Sequence, residues 1–221
     1  MDIQELAKET LKEHEKSVVL IIIRSATTGA ALNRGTGFVI GRKGTSYLVM
    51  TCAHILQKLD DGILNVRLAG ESKEHMATKM DRYCDDGTDI AIIKVDNVHQ
   101  ECNALQFCDA VDVAAKTVVI KLGYILVSGS SRHTLKPSVC IGTVATQLLQ
   151  NGSKGIEDLV YSASGKHGLS GSAVMLGNEV IGVYYFGEAN SDIIILLLLI
   201  FCVSCGLAIE RAPRCAAPSL A

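Results

Sequence analysis

Residues 35–54 read GTGFVIGRKGTSYLVMTCAH: two short apolar runs, rich in β-branched and aromatic side chains and closed by Gly, Lys or Ser. With SVVLIIIRS (17–25) ahead of them they make three consecutive strand-like segments, because Val, Ile and Phe suit a pleated surface and Gly and Asn supply the turns. Outward from this stretch the style recurs in NVRLAG (65–70), DIAIIKV (89–95), TVVIKLG (117–123), VCIGTVATQLL (139–149), DLVYSAS (158–164), SAVMLG (172–177) and EVIGVYYFG (179–187). About ten short strands at hairpin-like spacing, with no helical period long enough for a crossover, predict an all-β barrel or sandwich and disfavour a parallel α/β sheet. The polar, Cys-bearing stretch 97–117 is the expected border between halves 17–105 and 106–187.

The two ends differ from this body. Residues 2–16 place Ile3, Leu6, Ala7, Thr10 and Leu11 on one face of a charged segment, so an N-terminal amphipathic helix over 1–16 is expected to pack on something larger. Residues 188–221 form an apolar tail, in which Ile193–Ile209 carry no charge. A run of this length lies at the lower limit of the ~17 to 25 residues of a membrane helix, and Arg211 and Arg214 follow as interfacial anchors. Periodicity does not separate that anchor from a further buried strand followed by a short packed helix.

The 221 residues are 48% hydrophobic and 20% charged, enough apolar surface for one large core or two small ones, which excludes a disordered chain. Net charge is −2 with Lys and Arg scattered, so the chain lacks the basic footprint of phosphate-backbone binding and nucleic acid is not an expected partner. No charged-then-apolar leader opens the sequence, which predicts an intracellular protein whose eight cysteines are reduced and mostly buried. Cys202 and Cys205 form a CxxC inside an apolar stretch without His or a second pair, so no metal site is expected there.

Gly168-Leu169-Ser170-Gly171-Ser172 carries the chemistry best. A Ser between glycines on a sharp turn presents its hydroxyl outward, and the N–H groups of Gly168 and Ser170 can converge on a developing oxyanion. A serine hydroxyl is a poor nucleophile at neutral pH and needs an imidazole base with a carboxylate behind it. His54 ends YLVMTCAH at a sheet edge, and Asp89 opens DIAIIKV after the turn-forming DDGT. Taken singly, each has a plain alternative: a Gly-Ser turn, a hydrogen-bonded edge histidine, a capping aspartate. Their order, with the first two in one half and the third in the other, predicts a site in a cleft at the seam.

Taken together, GTGFVI, YLVMTCAHIL, TDIAIIKVD, GLSGSAVM and EVIGVYYFG resemble a trypsin-like serine protease of the chymotrypsin fold, nearest the HtrA/Deg branch, over roughly Ser17–Gly187. The resemblance implies two six-stranded antiparallel β-barrels. It also implies a serine endopeptidase acting on polypeptides without metal or cofactor, with His54 as general base, Asp89 orienting it and Ser170 as nucleophile. Gly168 and Ser170 would supply the oxyanion-hole N–H groups, with His167, Leu169, Tyr184 and Tyr185 on the substrate side. His167 has the simpler description of a solvent-facing turn residue.

The chain also departs from the family. Leu169 stands where the family has Asn or Asp, so activation by an ion pair with a freed N-terminal ammonium is not available, and an HtrA-like mode without zymogen cleavage fits better. Only 34 residues follow Gly187, too few for a PDZ domain. If Ile193–Leu199 forms the pocket strand, the second barrel is complete and apolar P1 residues are favoured; if the run enters a bilayer, that barrel lacks a strand. The alternatives to an active protease are a catalytically impaired, protease-like peptide-binding scaffold and a membrane-tethered adaptor.

Overall fold

The computed structural model describes residues 2–108, 113–126, 134, 136–144, 149–151, 156–162, 167–186 and 192–196. Helix α1 (Ile3–His14) and a 3₁₀ turn (Glu15–Ser17) lead into β1 (Val18–Ser25), β2 (Ala31–Lys43) and β3 (Ser46–Cys52). A second 3₁₀ turn (Ala53–Lys58) precedes β4 (Gly62–Leu68), β5 (Glu74–Asp85) and β6 (Ile90–Val95). These six strands close into an antiparallel barrel in the order β1-β2-β3-β6-β5-β4. All six residues Val18–Ile23 are buried. Successive strand residues point to opposite faces, so β1 is covered on both sides, as its unbroken apolar run requires.

The second sheet comprises β7 (Gln106–Phe107), β8 (Val118–Gly123), β9 (Ser138–Val144), β10 (Leu149–Asn151), β11 (Ile156–Ser162), β12 (Ser172–Leu176), β13 (Glu179–Phe186) and β14 (Asp192–Leu196). Its path runs β9-β8-β12-β13-β14-β11, and β11 returns to β9 through Tyr161↔Val144 and Ser162↔Thr143. Six of the strands therefore form a ring, with β10 and β7 as additions on β11 and β13. The fold is all-β and chymotrypsin-like.

The apolar tail divides. Residues 192–196 are a strand between β11 and β13, with Ile193↔Val160 on one side and Ile194↔Tyr184 on the other. The second sheet thus extends past Gly187, and this part of the run pairs with neighbours instead of opening a helix. Residues 197–209 of the anchor reading lie outside the described residues. Among the described residues no helix is long and apolar enough to cross a membrane.

One apolar cluster spans both sheets, from Val19, Ile21 and Phe38 through Leu122, Met175 and Val183; a smaller one gathers Val119, Leu169, Ile181 and Tyr184. Helix α1 packs on β8 and β9 through Ala7 and Thr10, whereas Ile3 is 43% exposed and does not belong to the packed face. The five described cysteines are free thiols; Cys52 and Cys102 are buried and Cys84, Cys108 and Cys140 half-buried, whereas Cys202, Cys205 and Cys215 lie outside the described residues.

Candidate active site

Strand β3 stops at Cys52, and the chain turns into the 3₁₀ segment that begins Ala53-His54. Across the sheet Cys52 pairs with Ile90, which sets the residue before β6 against that turn. That residue is Asp89. Its backbone holds φ +53°, a conformation Asp tolerates better than most side chains but still at a cost of about 1 kcal/mol or more. The Asp89 carbonyl accepts the Ala53 N–H at 3.0 Å, Oδ1 accepts the His54 N–H at 2.8 Å, and Oδ2 lies 2.7 Å from His54 Nδ1.

A carboxylate accepts only, so the hydrogen between Oδ2 and Nδ1 belongs to the imidazole, and in the neutral ring Nε2 is left with its lone pair. The His54 and Asp89 side chains are 34% and 22% exposed, which keeps the ring reachable while the acid is shielded.

The loop 167–172 is fixed by its carbonyls. His167 O accepts Leu126 N–H (2.9 Å), and Gly168 O accepts the Thr36 hydroxyl (2.8 Å). Leu169 O takes both the N–H (2.9 Å) and the hydroxyl (2.5 Å) of Ser172, and Ser170 O accepts Thr36 N–H (2.8 Å). In a planar peptide the N–H points opposite its C=O. The N–H groups of Gly168 and Ser170 are therefore directed away from the carbonyls of His167 and Leu169, and among the described residues neither donates a backbone hydrogen bond.

Gly168 and Gly171 hold φ +94° and +84°, and a Cβ on Gly171 would collide with the Thr36 carbonyl and the Thr51 hydroxyl. The Leu169 side chain is fully buried in the smaller cluster, an apolar anchor of about 2 kcal/mol.

One carbonyl links the loop to the His54–Asp89 pair. Tyr184 O accepts the Gly171 N–H at 2.8 Å and the Cys52 thiol at 3.5 Å. Cys52 Sγ in turn lies within 4.8 Å of both the ligand-capable His54 nitrogen and an Asp89 oxygen. Burial first, and then the Asp89 charge, push the Cys52 thiol well above its ordinary pKa.

The remaining sequence-derived positions separate. His167 is exposed and Tyr185 half-buried. Leu169 and Tyr184 are both fully buried, and Lys121 Nζ sits 3.3 Å from the centre of the Tyr184 ring. Both side chains pack in the smaller apolar cluster.

Thr36 was missed by sequence reasoning. It is fully buried, and besides holding Ser170 O and Gly168 O its hydroxyl accepts Tyr124 N–H at 2.9 Å. The signal available was a small hydroxyl residue held between Gly35 and Gly37 in GTGF.

The sequence pattern of the trypsin-like peptidase domain family matches residues 35–183, which hold Thr36, His54, Asp89 and Ser170. Among solved structures the chain is similar to that described as the crystal structure of Deg5, with a TM-score of 0.68 and 19% identity over 87% of this chain and 90% of that one. At that identity the likeness concerns the fold. No curated protein matches the chain in sequence.

Proposed function

The chain belongs to the trypsin-like peptidase domain family of serine proteases, and from that premise we propose that it is an active serine endopeptidase working through Ser170, His54 and Asp89. Ser170 Oγ attacks the carbonyl of a peptide bond while His54 Nε2 takes its proton, and the same imidazole returns that proton to the leaving amine. Water then hydrolyses the acyl-enzyme by the reverse proton path. Asp89 keeps Nδ1 protonated and balances the imidazolium that forms. The N–H groups of Gly168 and Ser170 receive the oxyanion, each worth about 3 to 4 kcal/mol of barrier.

The observation that carries this reading is the double engagement of one carboxylate, on the backbone N–H of His54 at 2.8 Å and on its ring at 2.7 Å. A capping aspartate needs only the first contact; the second selects a tautomer, which is what a general base requires.

The buried Leu169 and the Thr36 and Ser172 hydrogen bonds support a loop formed without proteolytic activation. In β14 the residues Ile193, Ile194, Ile195 and Leu196 are aliphatic at every position, so whichever face meets the specificity pocket favours apolar P1 residues.

Labelling with an active-site fluorophosphonate tests the assignment. Wild-type protein is expected to label and Ser170→Ala to lose the signal. Labelling that survives in Ser170→Ala removes Ser170 as nucleophile, and a folded wild-type protein that resists the probe indicates the non-cleaving scaffold instead.

A further inference from the structure

A cleft of about 250 Å³ opens between residues 31–34 at the start of β2 and the facing residues Leu126, His167 and Gly168. Both walls adjoin the proposed chemistry. Gly168 carries one oxyanion N–H, and Asn33 in the opposite wall donates through Nδ2 to the Ile55 carbonyl at 2.9 Å, beneath the turn that holds His54. In acyl transfer the imidazole hands its proton to the leaving amine, so the departing half of a substrate lies on the imidazole's side of the oxyanion loop. This cleft offers a surface to that half, an assignment that rests on the Ser170–His54–Asp89 reading.

The charge in the cleft is incompletely neutralised. Arg34 lines it half-buried, and its guanidinium has no ion-pair partner among the described residues. Burial, and then the like charges of Arg24 and Arg67 against the pull of Glu74, hold its pKa below the ordinary value. Glu74 is already claimed, because Arg24 grips both its oxygens at 2.7 and 2.5 Å. Arg67 donates through Nη2 to Thr134 O at 2.7 Å, a neutral acceptor, and its buried Nε has no partner among the described residues. Among the described residues, three guanidiniums thus share the Glu74 carboxylate. A half-buried cation lacking a counter-charge is costly by itself and gains most from an arriving anion, and the planar fork of Arg matches a carboxylate in two parallel hydrogen bonds.

We propose that Arg34 is a specificity-determining residue that receives a carboxylate from the first residues on the leaving side of the scissile bond. Two sources carry that group: an Asp or Glu side chain, or the terminal carboxylate of a polypeptide cut close to its end.

The test uses peptides paired as Glu and Gln at the first or second position after the cut, each with a free or an amidated C-terminus. Cleavage by the wild-type protein is followed by mass spectrometry. A charge-assisted contact predicts about a tenfold preference for Glu over Gln. Persistence on amidated peptides identifies the side chain as the source. A preference that appears only with free termini, and vanishes on amidation, identifies the chain end.

In Arg34→Gln the Glu/Gln ratio should fall to about one. In Glu74→Gln, where a competing carboxylate is lost, the ratio should rise, which keeps the test open if the first variant folds poorly. Ratios that are equal in wild type, or unchanged in Arg34→Gln, overturn the proposal. Fluorescence polarisation of labelled leaving-half peptides (Glu and Gln, free and amidated) on Ser170→Ala protein reads the same ratio without turnover. An inactive wild-type protein that still prefers Glu would sink the catalytic reading and leave the anion subsite standing, whereas cleavage with no acid preference does the reverse.

Discussion

Replacing Asp89 by Asn tests the His54 geometry at one atom. The carboxylate presents two acceptors, Oδ1 to the His54 N–H at 2.8 Å and Oδ2 to Nδ1–H at 2.7 Å, and Asn keeps only one. If its oxygen stays on the backbone N–H, the amide NH₂ faces Nδ1, which must then accept; the ring proton moves to Nε2 and the imidazole loses its capacity as base. If the amide flips, NH₂ faces the backbone N–H, two donors in opposition, at a cost of about 1 to 3 kcal/mol.

The second loss is electrostatic. With side chains 34% and 22% exposed, an effective dielectric near 20 applies, and a carboxylate and imidazolium with charge centres about 4 Å apart attract by about 4 kcal/mol. That stabilisation exists only when His54 has taken the proton, so it belongs to the transition state. Combined, the two effects reach about 5 to 7 kcal/mol, or a fall in kcat/KM of about 10⁴-fold, the size known for an Asp-to-Asn change in the triad template.

The assay is kcat/KM on a cleaved peptide together with the rate of fluorophosphonate labelling. Circular dichroism and the melting temperature establish that the variant is folded. A folded Asp89→Asn protein within tenfold of wild type would refute the reasoning, because neither the tautomer nor the charge would then matter.

Thr36→Val keeps the shape of the side chain but leaves Tyr124 N–H and Gly168 O unpaired in a buried place. We expect about 2 to 4 kcal/mol of lost stability and a labelling rate that falls more than unfolding alone explains, read by denaturant melts and probe kinetics on the folded fraction. Glu74 bears on acid stability: its hydrogen bond to Arg24 holds its carboxyl below the usual range. A depressed carboxylate contributes stability that is fully present above its unfolded pKa of about 4.3 and disappears as pH falls through the folded value. Glu74→Gln should therefore melt lower than wild type at pH 7, by less than about 1 kcal/mol given the exposure of the pair, and the gap should close below about pH 4. A gap that widens in acid contradicts the sign.

Most of the strands were legible because burial on one or both faces leaves a mark in sequence, but two strands show what that mark misses. Strand β5 (EHMATKMDRYCD) has no buried residue in its pattern, and its register shifts between Lys79 and Cys84, so neither apolar alternation nor a constant period announces it. It exists because β4 and β6 offer their edges on either side. Strand β14 has the opposite problem. After Asp192 its residues Ile193–Leu196 are all apolar, a pattern that a strand and a buried helix share. Long-range pairing with Val160 and Tyr184 decides it, and no local window contains that information.

At the candidate site the difference is between residues that break a local pattern and residues that obey one. His54 interrupts an apolar run, Ser170 sits in a Gly-flanked turn and Asp89 at a turn-to-strand junction, so each stands out where it occurs. Thr36 does not, because a Thr in a strand is an ordinary β-former, and its importance comes from Gly168, 132 positions away. Leu169 and Tyr184 show the converse, since both are fully buried although each stands in a segment that carries site residues. Alternation along β13 predicts instead that Tyr184 and Tyr185 face opposite ways, and the fully buried one is Tyr184, whose carbonyl still ties Gly171 to Cys52. The same logic explains why Arg34 looks unremarkable in the string RGTGF. Its significance is a deficit among the described residues, three guanidiniums around the Glu74 carboxylate, and such a deficit becomes visible only when residues 24, 34, 67 and 74 are brought together. Chemistry that depends on what a residue is can be read from sequence, whereas chemistry that depends on what a residue lacks requires the fold.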